Sequence, residues 1–258
     1  MLEANDLAFG VSGRTIGAGI DFVVARGETL CVLGPNGGGK TTLFRTLLGL
    51  LPPHAGAVRV DGRDVTALTR REIAQLVGYV PQVHAVAFSF SVGEIVLMGR
   101  TAHLGALGSP GAPDRRIAMR ALEEVGIAQL AGRNYATISA GERQLVLIAR
   151  ALAQEPKALV MDEPAASLDF GNQMRLLEKM RSLAKLGIAI VFSTHDPDHA
   201  FAVADRALLL GGGRMLACGA THEVVGAHTL QELYGIPVRI VPMPDGTAVC
   251  QPLSAFRA

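Results

Sequence analysis

Gly34-Pro35-Asn36-Gly37-Gly38-Gly39-Lys40-Thr41-Thr42 decides the fold class of this chain. The run Leu30–Leu33 before it is wholly apolar and reads as a buried strand. Leu43, Phe44, Leu47 and Leu48 after it share one helical face, which Gly49 ends. The glycines therefore lie between a strand and a helix. There they let backbone N–H groups turn inward around an anion, and the helix start adds partial positive charge. In this pattern Lys40 reaches the terminal phosphates and the Thr41 hydroxyl ligates Mg²⁺, so the stretch reads as a nucleoside triphosphate cradle.

Downstream, Ala158–Met161 is another apolar run, ending in Asp162-Glu163-Pro164. A buried parallel strand delivers such carboxylates to the sheet edge where ligands sit in open α/β folds. Asp162 is placed to hold Mg²⁺ and Glu163 to orient or deprotonate an attacking water. Ile188–Phe192 is the next buried strand and ends in Ser193-Thr194-His195-Asp196-Pro197. Asp196 caps the following helix there, with Pro197 at its first position. His195 thus shares the edge of Asp162 and Glu163 and is within reach of a γ-phosphate.

The remaining elements frame these. Leu7–Phe9 and Ile20–Val24 read as an antiparallel strand pair turning at Ser12-Gly13-Arg14. Gly17-Ala18-Gly19 reads as a plain turn, because Phe22 stands where a dinucleotide loop needs its third glycine. Ala57–Gly62 and Leu76–Val80 read as strands, the second followed by Pro81 and the loop residue Gln82. From Phe88 to Gln154 the pattern is helical: Ile117, Ala118, Ala121, Leu122 and Val125 share a face, with Asp114 as cap and Gly126 as stop. Gly105–Pro113 is a connector, and Ser139-Ala140-Gly141-Glu142 opens a helix over Arg143–Gln154, as an N-cap or a second anion site. Leu176, Leu177, Met180, Leu183 and Ala184 form a core stripe. Arg206–Leu210 and Arg214–Cys218 form a hairpin, two short helices lie between Thr221 and Tyr234, and the tail from Pro237 is an accessory segment.

A chain of 258 residues that is 49% hydrophobic can bury the core of one α/β domain with an inserted lobe. Net charge +1 gives no polyanion-binding field, so nucleic acid is not expected as a partner. Cys31, Cys218 and Cys250 are scattered, odd in number and without metal-ligand spacing, as ordinary thiols of a reducing compartment are. Met1–Asp6 carries acids where a secretory signal carries bases, and the longest apolar runs are strand-length. Any membrane role is then expected to come through another subunit.

Six motifs in register, Gly34–Thr42, Tyr79–Gln82, Ile138–Gln144, Leu159–Pro164, Ala166–Asp169 and Ser193–Asp196, resemble the ATP-binding subunits of ABC transporters. The resemblance spans nearly the whole chain. It implies an α/β P-loop NTPase core with a mixed sheet (1–87 and 155–225) and an N-terminal antiparallel β subdomain. It also implies an inserted α-helical subdomain (88–154) and a C-terminal accessory segment (226–258). Two copies are expected head to tail with ATP and Mg²⁺ between them. One copy supplies Gly34, Pro35, Asn36, Gly37, Gly38, Gly39, Lys40, Thr41 and Thr42; the other supplies Ser139, Gly141 and Glu142 to the γ-phosphate. Thr41, Gln82 and Asp162 would serve the metal, with Glu163, His195 and Gln82 catalytic and Asp169 communicating across the dimer. Two transmembrane permease subunits, and through them a substrate-binding protein, are the further partners, with the chain peripheral on the cytoplasmic face of the inner membrane.

Three departures from that family pattern stand out. Ala140 replaces a glycine, Glu142 stands where glutamine is usual, and Val11 occupies the place of the adenine-stacking aromatic, with Phe9 the nearest ring. Ser91–His103 and Leu233–Val238 resemble importers of iron-siderophore, haem or cobalamin and their molybdate/tungstate relatives. A soluble ABC-type ATPase of DNA repair, translation or cofactor assembly is the alternative; against it stand a single cassette, no coiled-coil insertion and no basic face. A small P-loop kinase or GTPase would leave Ser139–Gln144 unexplained.

Overall fold

The computed structural model describes residues 1–82, 89–105, 108–166 and 168–253. The chain opens with β1 (Leu2–Val11) and β2 (Arg14–Val24), which pair antiparallel, followed by β3 (Thr29–Leu33) and α1 (Lys40–Leu47). β4 (Ala55–Val60) and β5 (Arg63–Asp64) extend the antiparallel arm. α2 (Arg70–Leu76), started by a Thr69/Glu72 capping box, leads into β6 (Val77–Val80). Then come α3 (Val92–Leu97), α4 (Ala112–Val125) and α5 (Ala140–Leu152), which pack on one another. β7 (Ala158–Met161), α6 (Phe170–Lys185), β8 (Ala189–Thr194) and α7 (Pro197–Val203) return the chain to the sheet. β9 (Arg206–Gly211), β10 (Arg214–Ala220), α8 (Thr221–Val224), α9 (Ala227–Tyr234), β11 (Val238–Pro242) and β12 (Ala248–Pro252) complete it.

Among the described residues the main sheet is mixed, in the order β5-β4-β1-β2-β10-β9-β3-β8-β7-β6. Strands β9, β3, β8, β7 and β6 run parallel, so the C-terminal ends of β3, β7 and β8 meet at one edge. That edge is where a helix start and strand-end carboxylates converge. The period of two divides each buried strand between two cores. Cys31, Leu33, Leu159, Met161, Ile190 and Phe192 face the helices α3 to α7, while Leu30, Val32, Ala158, Val160 and Val191 face α1 and the antiparallel arm. Helix α1 is thus clasped between arm and sheet, with Leu43, Phe44 and Leu47 fully buried.

Three expectations need correction, and the tail takes a definite form. Gly17-Ala18-Gly19 is no turn: it lies within β2, and Gly17 leaves the room that the Phe9 ring takes, since a Cβ there would sit 2.4 Å from Phe9 Cζ. Asp114 is not the cap of α4; that position is Gly111, and the Asp114 carboxylate at the third helical position accepts the Gly111 N–H and pairs with Arg100. Helix α5 starts at Ala140 rather than Arg143, because Ser139 and Glu142 close a capping box around its first turn. The tail is a β-hairpin: β11 and β12 pair from Val238↔Pro252 to Pro242↔Ala248 and lean on α7. Phe88, part of the Gly105–Pro113 connector, and Ser167 lie outside the described residues.

Candidate functional site

The loop from Gly34 to Gly39 leaves β3 at the carboxyl edge, pinned by the Gly34 N–H to Thr194 O at 3.2 Å. Gly39 carries φ 94, a conformation in which a side chain would also meet Ile16 and Phe9 at 2.9 and 3.2 Å, so only glycine fits. That twist starts α1 without any side-chain cap. The N–H groups of Gly37, Gly39, Lys40, Thr41 and Thr42 consequently make no hydrogen bond among the described residues. These donors face the open cleft, where the partial positive charge of the helix start favours an anion. A tetrahedral polyanion fits them.

The single cation of the cradle is buried beneath it. Lys40 Nζ donates to Gly34 O at 2.7 Å and Pro35 O at 3.0 Å, and pairs with Glu163 Oε1 at 3.0 Å; both side chains are over 90% buried. Glu163 Oε2 meets His195 Nδ1 at 3.1 Å. Glu163 itself holds φ 44, a left-handed conformation that costs a non-glycine residue roughly 1–3 kcal/mol. Three contacts impose it: Lys40, His195 and its own N–H donating to Ser193 Oγ at 2.8 Å. Ser193 in turn donates to Asp162 Oδ1 at 2.7 Å. Sequence reasoning passed over Ser193, although a small polar residue closing an apolar strand two positions before His195 was a readable signal.

Two adjoining clefts open over the loop. One of about 320 Å³ runs from Asn36 to Thr42 and is walled by Ile16, Gln82 and Glu163. Its neighbour, about 580 Å³, extends outward past Val11, Arg14, Thr15 and Ile16 to Gly212 and Gly213. Thr41, Gln82 and Asp162 offer hard oxygen donors of the type Mg²⁺ takes. Phe9 is fully buried under the loop and cannot stack on a base; Val11 and Ile16 present the apolar surface instead.

Ser139, Gly141 and Glu142 line neither cleft. The Ser139 side chain accepts the Glu142 N–H at 3.2 Å, and the Glu142 carboxylate accepts the Ser139 N–H at 2.8 Å. That backbone donor holds the Glu142 carboxyl below the usual carboxylate range, so it carries its charge at neutral pH. Gly141 packs on α6: a Cβ there would sit 2.8 Å from the Asn172 side chain. Asn172 is bound by Asp169, whose carboxylate caps α6 through the Asn172 N–H at 2.9 Å and its amide at 2.8 Å. The structure thus gathers Gly34 to Thr42, Gln82, Asp162, Glu163 and His195 at one edge and sets Ser139, Gly141, Glu142 and Asp169 in a second group.

The sequence profile described as ABC transporter matches residues 18–166, more than half of the chain. The chain belongs to the ABC transporter family. It is an ATP-binding chain of that family and an ATP hydrolase, with the P-loop NTPase fold. It is 46% identical over 81% of its length to an uncharacterised ABC transporter ATP-binding protein of Haemophilus influenzae, covering 80% of that protein. It is 38% identical over 95% of its length to the hemin import ATP-binding protein HmuV of Gloeobacter violaceus, covering 90% of that protein. A solved structure of a metal-chelate type ABC transporter in an inward-facing conformation superposes with TM-score 0.89 at 32% identity. That alignment covers 100% of this chain and 99% of the other. Among the described residues no helix is long and apolar enough to cross a membrane.

Proposed function

We propose that this ABC ATPase powers import of a metal chelate, of the haem, iron-siderophore, cobalamin or molybdate kind, across the cytoplasmic membrane. The observation that carries the reading is the division of the site. The cleft is lined by Asn36 to Thr42, Gln82 and Glu163, and His195 meets Glu163 beside it, whereas the Ser139–Glu142 helix start neither lines the cleft nor bonds to this group. A second copy placed head to tail supplies Ser139, Gly141 and Glu142 to the γ-phosphate, and Asp169 sits at the seam between copies. Within one copy, Gly34 to Thr42 bind the phosphates, Glu163 orients or deprotonates water, and His195 holds the γ-phosphate. Thr41, Gln82 and Asp162 would hold Mg²⁺, which supplies charge neutralisation between the phosphates.

The inserted helices of 88–154 and Gln82 form the face toward two transmembrane permease subunits, with 1–87 and 155–225 as core and 226–258 accessory. The chain then lies on the cytoplasmic face of the inner membrane, and a substrate-binding protein delivers cargo to the permease. Similarity to a hemin import protein and to a metal-chelate transporter supports this cargo class. The test is transport by the subunit co-purified with its permease in proteoliposomes. ATP-dependent uptake of hemin, a ferric siderophore, cobalamin or molybdate is expected. ATP hydrolysis without uptake of any of them, or failure to co-purify with a multi-span protein, overturns the reading.

A further inference from the structure

The phenol of Tyr234, the last residue of α9, donates a 2.8 Å hydrogen bond to the main-chain carbonyl of His195. The two lie 39 residues apart. His195 follows β8 and precedes α7, so its carbonyl has no ladder partner there, and its imidazole is about half exposed. Among the described residues such a side chain is aimed by its own peptide and by Glu163. Two further bonds from beyond Gly219 grip the helix that follows. The Cys250 N–H of β12 donates to Asp198 Oδ1 at 2.7 Å, and Thr221 Oγ1 donates to Ala204 O at 2.8 Å at the other end of α7. Tyr234 is itself set by its neighbours: Leu230 and Leu233 on α9 are buried in the helical core, and Gly235 ends the helix at φ 73. Burial pushes the phenol above its ordinary pKa, so it remains a donor throughout the working range.

We propose that Tyr234 is a positioning residue for hydrolysis: it fixes the His195 peptide so that the imidazole stays aligned with Glu163. The C-terminal segment thereby sets the catalytic rate without touching nucleotide. This inference rests on the assignment of His195 and Glu163 given above. One hydrogen bond to a neutral acceptor changes a rate by about fivefold when its whole effect falls on the reacting geometry, the equivalent of about 1 kcal/mol.

The test uses the full chain carrying Tyr234→Phe, which keeps the ring. Turnover is expected to fall about fivefold, with the KM for ATP unchanged and the melting temperature within about 4 °C of the wild type. In a His195→Ala background, assayed by single turnover with enzyme in excess, Tyr234→Phe is expected to add less than a twofold loss. Unchanged turnover in Tyr234→Phe, or the same fivefold loss in the His195→Ala background, overturns the proposal. Wild-type turnover in His195→Ala alone instead overturns the underlying site assignment, so the two failures are distinct.

Discussion

Two helix starts, those of α1 and α5, differ in what their N–H groups do. At α1 the twisted Gly39 leaves the donors from Gly39 to Thr42 free and buries a lysine behind them. At α5 the same kind of helix start is closed on itself by Ser139 and Glu142. The first presents its donors to the cleft as a preformed anion site does. The second is closed by its own capping contacts, which the proposed two-copy site would trade for those of a phosphate. On that proposal one half of the site is built by folding and the other by association.

The largest expected effect tests the first half. Glu163→Gln should keep ATP binding and lower turnover by a factor on the order of 10²–10⁴, as loss of a general base does; steady-state kinetics beside equilibrium nucleotide binding measure both. Normal turnover would remove Glu163 from its role. Next, Lys40→Ala should weaken ATP binding roughly 100-fold, by removing about 3 kcal/mol of charged hydrogen bonding. Isothermal titration reads this directly, and unchanged affinity would contradict the cradle.

Ser139→Ala sharpens the comparison because it strikes the other helix start. Loss of the cap should cost about 1 kcal/mol of stability in denaturant unfolding. Turnover should fall more than tenfold while ATP affinity of the isolated copy stays within twofold. An affinity loss as large as that of Lys40→Ala would place both helix starts in one copy's site.

The smallest effect concerns charge. The Glu142 carboxyl is depressed by the Ser139 N–H, so the capping contribution is present above the ordinary carboxylate pKa and is lost as pH falls through the lowered one. The melting temperature of the wild type should exceed that of Glu142→Ala at neutral pH, and the gap should close in strong acid. Glu142→Gln should raise turnover by less than about fivefold by removing a negative charge from the trans phosphate. A turnover loss in Glu142→Gln would break this part of the comparison.

Legibility in the sequence followed the range of the interaction. Gly34–Thr42, the apolar strands and their terminal Asp162, Glu163 and His195 are local patterns in which residue type, spacing and element coincide, and the structure places them at one edge. The tail hairpin carried a local signal that was not used: Asp245-Gly246 between Val238–Pro242 and Ala248–Pro252, with Asp245 Oδ1 accepting the Thr247 N–H. The closure of the arm onto the core, through the parallel contact of Arg214 with Ala18, left no such trace. Neither did the burial of Phe9 against Gly17 and Gly39, which depends on how β1, β2 and the loop stack. Ser139 was legible as a cap, but whether that cap also serves a phosphate depends on a neighbour that no single chain encodes locally.

Sedimentation velocity of Glu163→Gln with Mg²⁺ and saturating ATP tests the two-copy site most directly. Monomer without nucleotide, dimer with ATP, and loss of that dimer on adding Ser139→Ala is the predicted result. Full ATP occupancy with a monomer throughout, or a dimer indifferent to Ser139, would contradict it.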